Sequence, residues 1–105
     1  MSCKPDSIIE GKHFCISRCP SCDRFGLCYN NLMMRYSREQ FEGFALDFSK
    51  INFDKFAVIF PDRKERIIIN TLHRDIQINL NRKEFFELQD VLQQARLILQ
   101  ARELI

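Results

Sequence analysis

Residues 32–48, LMMRYSREQFEGFALDF, and residues 76–92, IQINLNRKEFFELQDVL, lie over one another at an offset of 44 positions. Met34 falls on Ile78, Tyr36 on Leu80, Ser37 on Asn81 and Arg38 on Arg82; Gln40 falls on Glu84, Phe41 on Phe85, Phe44 on Leu88 and Phe48 on Leu92. Before the Ser37 or Asn81 position apolar and polar residues alternate with period two, and after it the apolar residues recur at helical spacing. Ser and Asn accept well from the free N–H groups of a helix start, and Gln40 or Glu84 three residues on completes a capping box. Both stretches therefore predict a strand that runs directly into a helix. Chance similarity between two amphipathic units is the competing account of the echo.

The pattern extends upstream in each half. Residues 13–17 and 25–29 read as strands around CPSC (19–22), and Asn30-Asn31 suits a tight hairpin turn because Asn tolerates positive φ. In the second half 56–60 is a short apolar run ended by Pro61-Asp62, 66–71 is a second strand, and Leu72-His73-Arg74 leads into the third. The expectation is an α+β fold of two βββα halves, about 13–49 and 56–105, with six antiparallel strands and two helices. The link SKINFDK is short, so the halves are expected to merge into a single domain spanning 1–105.

The two helices differ in length. The first, about 38–49, is roughly 17 Å long and matches five-residue strands, with Phe41, Phe44, Ala45 and Phe48 as its apolar stripe. The second, about 82–104, is roughly 35 Å long, about twice the first, and more than one small sheet covers. Its stripe runs through Phe85, Leu88, Val91 and Leu92 to Ala95, Ile98, Leu99 and Ile105, with Leu97 and Leu104 beside it. Apolar surface beyond a sheet needs a cover. Either a second chain provides it, giving a homodimer through the C-terminal half of this helix, or the other half-domain does.

The 105 residues carry a net charge of +2, too little to imply an electrostatic partner. No apolar run reaches the ~20 residues of a membrane span, and MSCKPDSIIEGKHF lacks the apolar centre of a signal peptide. The reading is a cytoplasmic protein without a membrane partner, its five cysteines reduced.

A single Cys-x-x-Cys is a weak metal signal, whereas two at ribbon spacing are strong. If CPSC is a hairpin tip with His13 opposite Cys28, those two residues stand roughly 20 Å from it, and Cys15 roughly 13 Å. A complete zinc site thus needs Cys3 and His73 to join Cys19 and Cys22, or a second copy of the same pair. A thiol redox role is weaker: after Cys22 the residues DRFGLCYNN read as strand, not as the helix whose N-terminus lowers a thiol pKa. Reduced thiols in a turn are the plain alternative.

Three glycines, at 11, 26 and 43, exclude a glycine-rich phosphate loop, and neither His13 nor His73 stands near a nucleophile motif. Nothing supports catalysis, so the chain is read as non-enzymatic, an interaction or scaffold protein with CPSC as a candidate structural metal half-site. Single-stranded nucleic-acid binding is the main alternative, by analogy with the sheet-and-helix repeats of the Pur-alpha and Whirly proteins. It would use Arg24-Phe25, Arg35-Tyr36 and the cluster Arg63, Lys64 and Arg66. Against it, Phe25 and Tyr36 occupy core positions of the alternation, and Glu65 interrupts the basic run.

Cys19-Pro20-x-Cys22, the Asn30-Asn31-Leu32 turn, the strand ending in Ser37-x-x-Gln40-Phe41 and the later Asn81-x-x-Glu84-Phe85 together resemble a small family. Its members are uncharacterised bacterial proteins of roughly a hundred residues, mainly from Bacteroidetes, grouped as a domain of unknown function. The resemblance implies a bacterial cytoplasmic protein and supplies no activity, cofactor or site residue.

Overall fold

Both strand-to-helix switches form where the capping residues stand. Ser37 Oγ accepts from the Gln40 N–H at 3.1 Å while its own N–H donates to Gln40 Oε1 at 2.9 Å. Asn81 and Glu84 repeat the reciprocal pair at 2.8 and 2.9 Å. The computed structural model describes residues 5–104. The chain runs β1 (Asp6–Glu10), β2 (Phe14–Arg18), β3 (Arg24–Tyr29), β4 (Leu32–Ser37), α1 (Arg38–Ser49) and α2 (Phe53–Phe56). It continues through β5 (Val58–Ile59), β6 (Glu65–Asn70), β7 (Gln77–Leu80) and α3 (Arg82–Glu103). This is a mixed α+β fold with two antiparallel sheets, one of four strands in the order β1-β2-β3-β4 and one of three in the order β5-β6-β7.

Six strands and two helices were expected, and the described residues hold seven and three. The order β-β-β-α occurs as β2-β3-β4-α1 and as β5-β6-β7-α3, but β1 and α2 have no counterpart in the opposite half. β1 escaped the sequence reading because only Ile8 and Ile9 mark it. It exists by pairing with β2, with a bulge between Ser7 and Ile9 that turns Ile8 inward. The Asn30-Asn31 turn forms as read, with Asn30 at φ 54° and Tyr29 paired to Leu32.

One buried cluster joins residues of both sheets and all three helices. Phe25 of β3 stacks on Phe41 of α1 at 4.9 Å, and Phe48 of α1 stacks on Phe85 of α3 at 5.0 Å. Arg38 at the start of α1 meets Glu103 at the end of α3, so the two helices run antiparallel. Gln89 and Gln93 of α3 donate to the Phe48 and Ala45 carbonyls at 3.0 and 3.4 Å, tying the last turns of α1 to α3.

The length of α3 is used within the chain. Its stripe is buried from Phe85 to Leu99, β1 packs on it, and Arg102 donates to the Ser7 carbonyl at 3.4 Å. Leu97 and Leu104 stay exposed, at 65% and 88%; Ile105 lies outside the described residues. Among the described residues no helix is long and apolar enough to cross a membrane.

Candidate functional site

The CPSC hairpin closes one step away from the expected register. Cys19 N–H donates to the Arg24 carbonyl at 2.8 Å and Asp23 N–H to the Cys19 carbonyl at 2.7 Å, with Asp23 at φ 55°. A short polar residue tolerates that left-handed conformation. The shifted closure puts Cys15, not His13, opposite Cys28, and His13 faces Asn30. Cys19 is buried with its sulfur 3.2 Å from Ser21 Oγ, whereas Cys22 is exposed. His73 sits in the β6–β7 loop, where its N–H donates to Thr71 Oγ1 at 3.1 Å. Cys3 lies outside the described residues. Among the described residues no three His, Cys, Asp or Glu side chains gather into a metal-holding group.

The aromatics considered for nucleic acid are internal: Phe25 and Tyr36 are fully buried, and Tyr36 stacks on Phe44 at 5.4 Å. Arg66 is tied to Asp62 at 2.9 Å and lies over the Phe60 ring at 4.9 Å.

The structure places its main open apolar surface in the second half, at a strand that stops early. The run 56–60 was expected to be a strand throughout. Instead Asn52 caps a single helical turn, its side chain accepting from Lys55 N–H at 3.3 Å. Phe53 is buried in that turn against Phe85 and Phe86, at 5.3 and 6.1 Å. Arg82, first residue of α3, clamps it from outside: its guanidinium bonds to Asp54 and Glu65 and lies over the Phe53 ring. The anchoring consumes Phe56, so β5 keeps only Val58 and Ile59, paired to Arg66 and Glu65. Among the described residues, β6 has no strand on that side beyond Arg66.

The backbone direction there follows from the turn. Phe60 N–H donates to the Lys64 carbonyl at 2.9 Å and Arg63 N–H to the Phe60 carbonyl at 2.8 Å, with Arg63 at φ 66°. Alternate pairs of an antiparallel ladder exchange hydrogen bonds, so Arg66 directs its N–H and C=O toward Val58. Two and four residues on, Ile68 and Asn70 direct theirs to the same side, where no strand of the described residues receives them. Their neighbours Ile67 and Ile69 pair with Leu80 and Ile78 of β7.

This open edge forms one wall of a groove of about 450 Å³. Phe44, Phe48 and Ile51 of α1 and its exit face it, Phe56 and Val58 close one end, and Asp47 is its charged lining residue. Asp47 makes no ion pair among the described residues. Around it Phe56, Val58, Ile59 and Ile68 leave large apolar side chains in water, Ile59 at 67% exposure. Chemically the site offers main-chain donors and acceptors in strand geometry, an apolar trough and one carboxylate.

A family model of unknown function matches residues 1–103, nearly the whole chain. The chain belongs to the family DUF6686. Neither the curated proteins nor the solved structures give a match. The DUF6686 match spans the CPSC hairpin, the groove and all three capped helices, so the short motifs read above lie inside the family's own boundaries.

Sequence reading missed the groove, although two signals for it were present. Asn52 two residues before Asp54-Lys55 is a helix-start signal that competes with the apolar run after it. Val58-Ile59, flanked by Ala57 and Phe60, also has no alternating polar face of the kind a half-buried strand shows.

Proposed function

We propose that this protein is a non-enzymatic interaction module that receives an extended segment of another protein along the open edge of β6. The observation that carries the reading is the free edge itself: Ile68 and Asn70 present strand-spaced N–H and C=O groups beside an apolar trough. Such an edge is satisfied by an added strand, whose main chain supplies affinity and whose alternate side chains enter adjoining pockets. The described edge, Ile67 to Asn70, is about 13 Å long and takes four residues of a partner. One or two of them, β-branched or aromatic, face Phe44, Phe48 and Ile51. Charge complementarity with Asp47 calls for a Lys or Arg beside them.

The test is selection from a displayed library of random octapeptides, followed by affinity measurement on the synthetic winners. The expected winners alternate apolar and polar residues around a basic one, and bind at least tenfold more weakly to Asp47→Lys. N-methylation of the peptide backbone at the central residues removes binding, because it deletes the edge hydrogen bonds. Winners with helical periodicity, or with unchanged affinity for Asp47→Lys, overturn the proposal. So does a sedimentation mass of two chains that reverts to one on Ile68→Lys, since that assigns the edge to a second copy.

A further inference from the structure

The register of the first hairpin has a chemical outcome on the outer face of the four-stranded sheet. Cys15, Cys28 and Met33 stand side by side on β2, β3 and β4, Cys15 paired to Cys28 and Cys28 to Met33. Their alternation partners Ile16, Leu27 and Tyr29 point into the core, so the three sulfur side chains share the outer face. Both thiols are unbridged and partly accessible, and Met33 is exposed.

The spacing across this row follows from the ladder. The bonds Cys19 N–H to Arg24 carbonyl and Asn30 N–H to His13 carbonyl mark alternate hydrogen-bonded pairs, and Cys15–Cys28 falls on the same alternation. Paired Cα atoms at such a position are about 5.5 Å apart, with Cβ atoms at a similar distance. An unstrained disulfide wants Cβ atoms about 3.8 Å apart. The gap is therefore too wide for a relaxed sulfur–sulfur bond, yet it suits an ion between two thiolates, each metal–sulfur bond being about 2.3 Å. Cys28–Met33 is the other kind of pair, at about 4.5 Å, which brings the thioether over the central strand. Met33 reaches over Gly26, two residues before Cys28 on the same face of β3: a Cβ there would lie 3.4 Å from Met33 Cε and 3.1 Å from Ser17 Oγ. The methionine tip thus already lies across β3.

We infer that Cys15, Cys28 and Met33 form a binding site for a soft monovalent metal ion of the Cu(I) class. Two thiolates and a thioether are soft ligands, which select Cu(I) over hard cations. No three His, Cys, Asp or Glu groups converge among the described residues, so the row lacks the fuller donor set of a structural zinc site. Binding converts both thiols to thiolates and releases their two protons to solvent, with no change in oxidation state of metal or sulfur. The site is separate from the peptide groove and from CPSC, and does not depend on the function proposed above.

The experiment is anaerobic titration of the full chain, fully reduced, with Cu(I) held by a chromophoric chelator. The expected result is withdrawal of one equivalent per chain, with affinity falling more than 100-fold in Cys15→Ser and in Cys28→Ser. Both exceed the roughly 10–100-fold that outer-shell partners are worth. Met33→Leu alters an exposed side chain and serves even where the cysteine variants fold poorly; its affinity falls about tenfold. Cys19→Ser and Cys22→Ser leave the titration unchanged. No withdrawal, withdrawal lost in the Cys19 and Cys22 variants instead, or equal withdrawal in all variants overturns the assignment.

Discussion

The two sheets meet the same physical requirement and solve it to different degrees. In the four-stranded sheet four pairs join β1 to β2 around a bulge, five join β2 to β3 and six join β3 to β4. Its outer face carries Cys15, Ser17, Gly26 and Arg35 beside the exposed Met33, which leaves little apolar surface in water. In the three-stranded sheet β6 and β7 share four pairs but β5 and β6 only two, and four large apolar side chains are exposed around the break. A strand edge left unpaired is a liability for a monomer and an opportunity for a binding protein. On the function proposed above, the binding face belongs to the second half and the fully paired first half supports it.

The comparison breaks most decisively in the core. Phe85 is fully buried, with the Phe48, Phe53 and Phe86 rings 5.0–5.3 Å from its own, and Phe25 is its counterpart on the first sheet. Truncation of either to Ala is expected to cost about 3–5 kcal/mol in urea unfolding. Because one buried cluster joins both sheets, each variant should show a single transition with an unchanged slope. Two separated transitions would mean that the halves fold independently and that the proposed support by the first half fails.

A smaller effect separates the sheets by pH. Both tyrosines of the chain belong to the four-stranded sheet. Burial pushes the Tyr36 phenol up to about 12, and burial with the nearby Glu87 carboxylate raises Tyr29 as well. The unfolded chain ionises first, near pH 10, so the stabilisation is complete below pH 10. For Tyr36 it is lost as the pH rises from about 10 to about 12. The loss is on the order of 1–3 kcal/mol. Tyr36→Phe should flatten that alkaline decline in a pH series of chemical denaturation, and an unchanged decline would show that Tyr36 is not shielded.

The smallest effect tests the likeness of the two helices. Ser37→Ala and Asn81→Ala each remove one capping box and should each cost about 1 kcal/mol. Thermal unfolding that shows one substitution silent would mean that the helix is held by packing alone, and the symmetry of the two starts would be only formal.

Much of this was legible in the residues. Ser37-x-x-Gln40 and Asn81-x-x-Glu84 located both helix starts, because capping acts within four residues of chain. The stripes of Phe41, Ala45 and Phe48 and of Phe85, Leu88 and Leu92 named the core for the same reason. β1 was not legible, since Ile8 and Ile9 become a strand only by pairing with β2 and covering α3. Nor was the turn at Phe53–Phe56, where Phe53 favours α2 over a longer β5 by burial beside Phe85, a residue 32 positions away.

By itself the sequence determined the strand-to-helix switches, the stripe each helix buries and the family, because periodicity and capping are local. Tertiary structure alone decided the register that sets Cys15 beside Cys28, the intrachain cover on α3 and the early end of β5. Each of those depends on contacts between residues distant along the chain, and no local pattern records which of two similar strands or turns will find the better-packed neighbour.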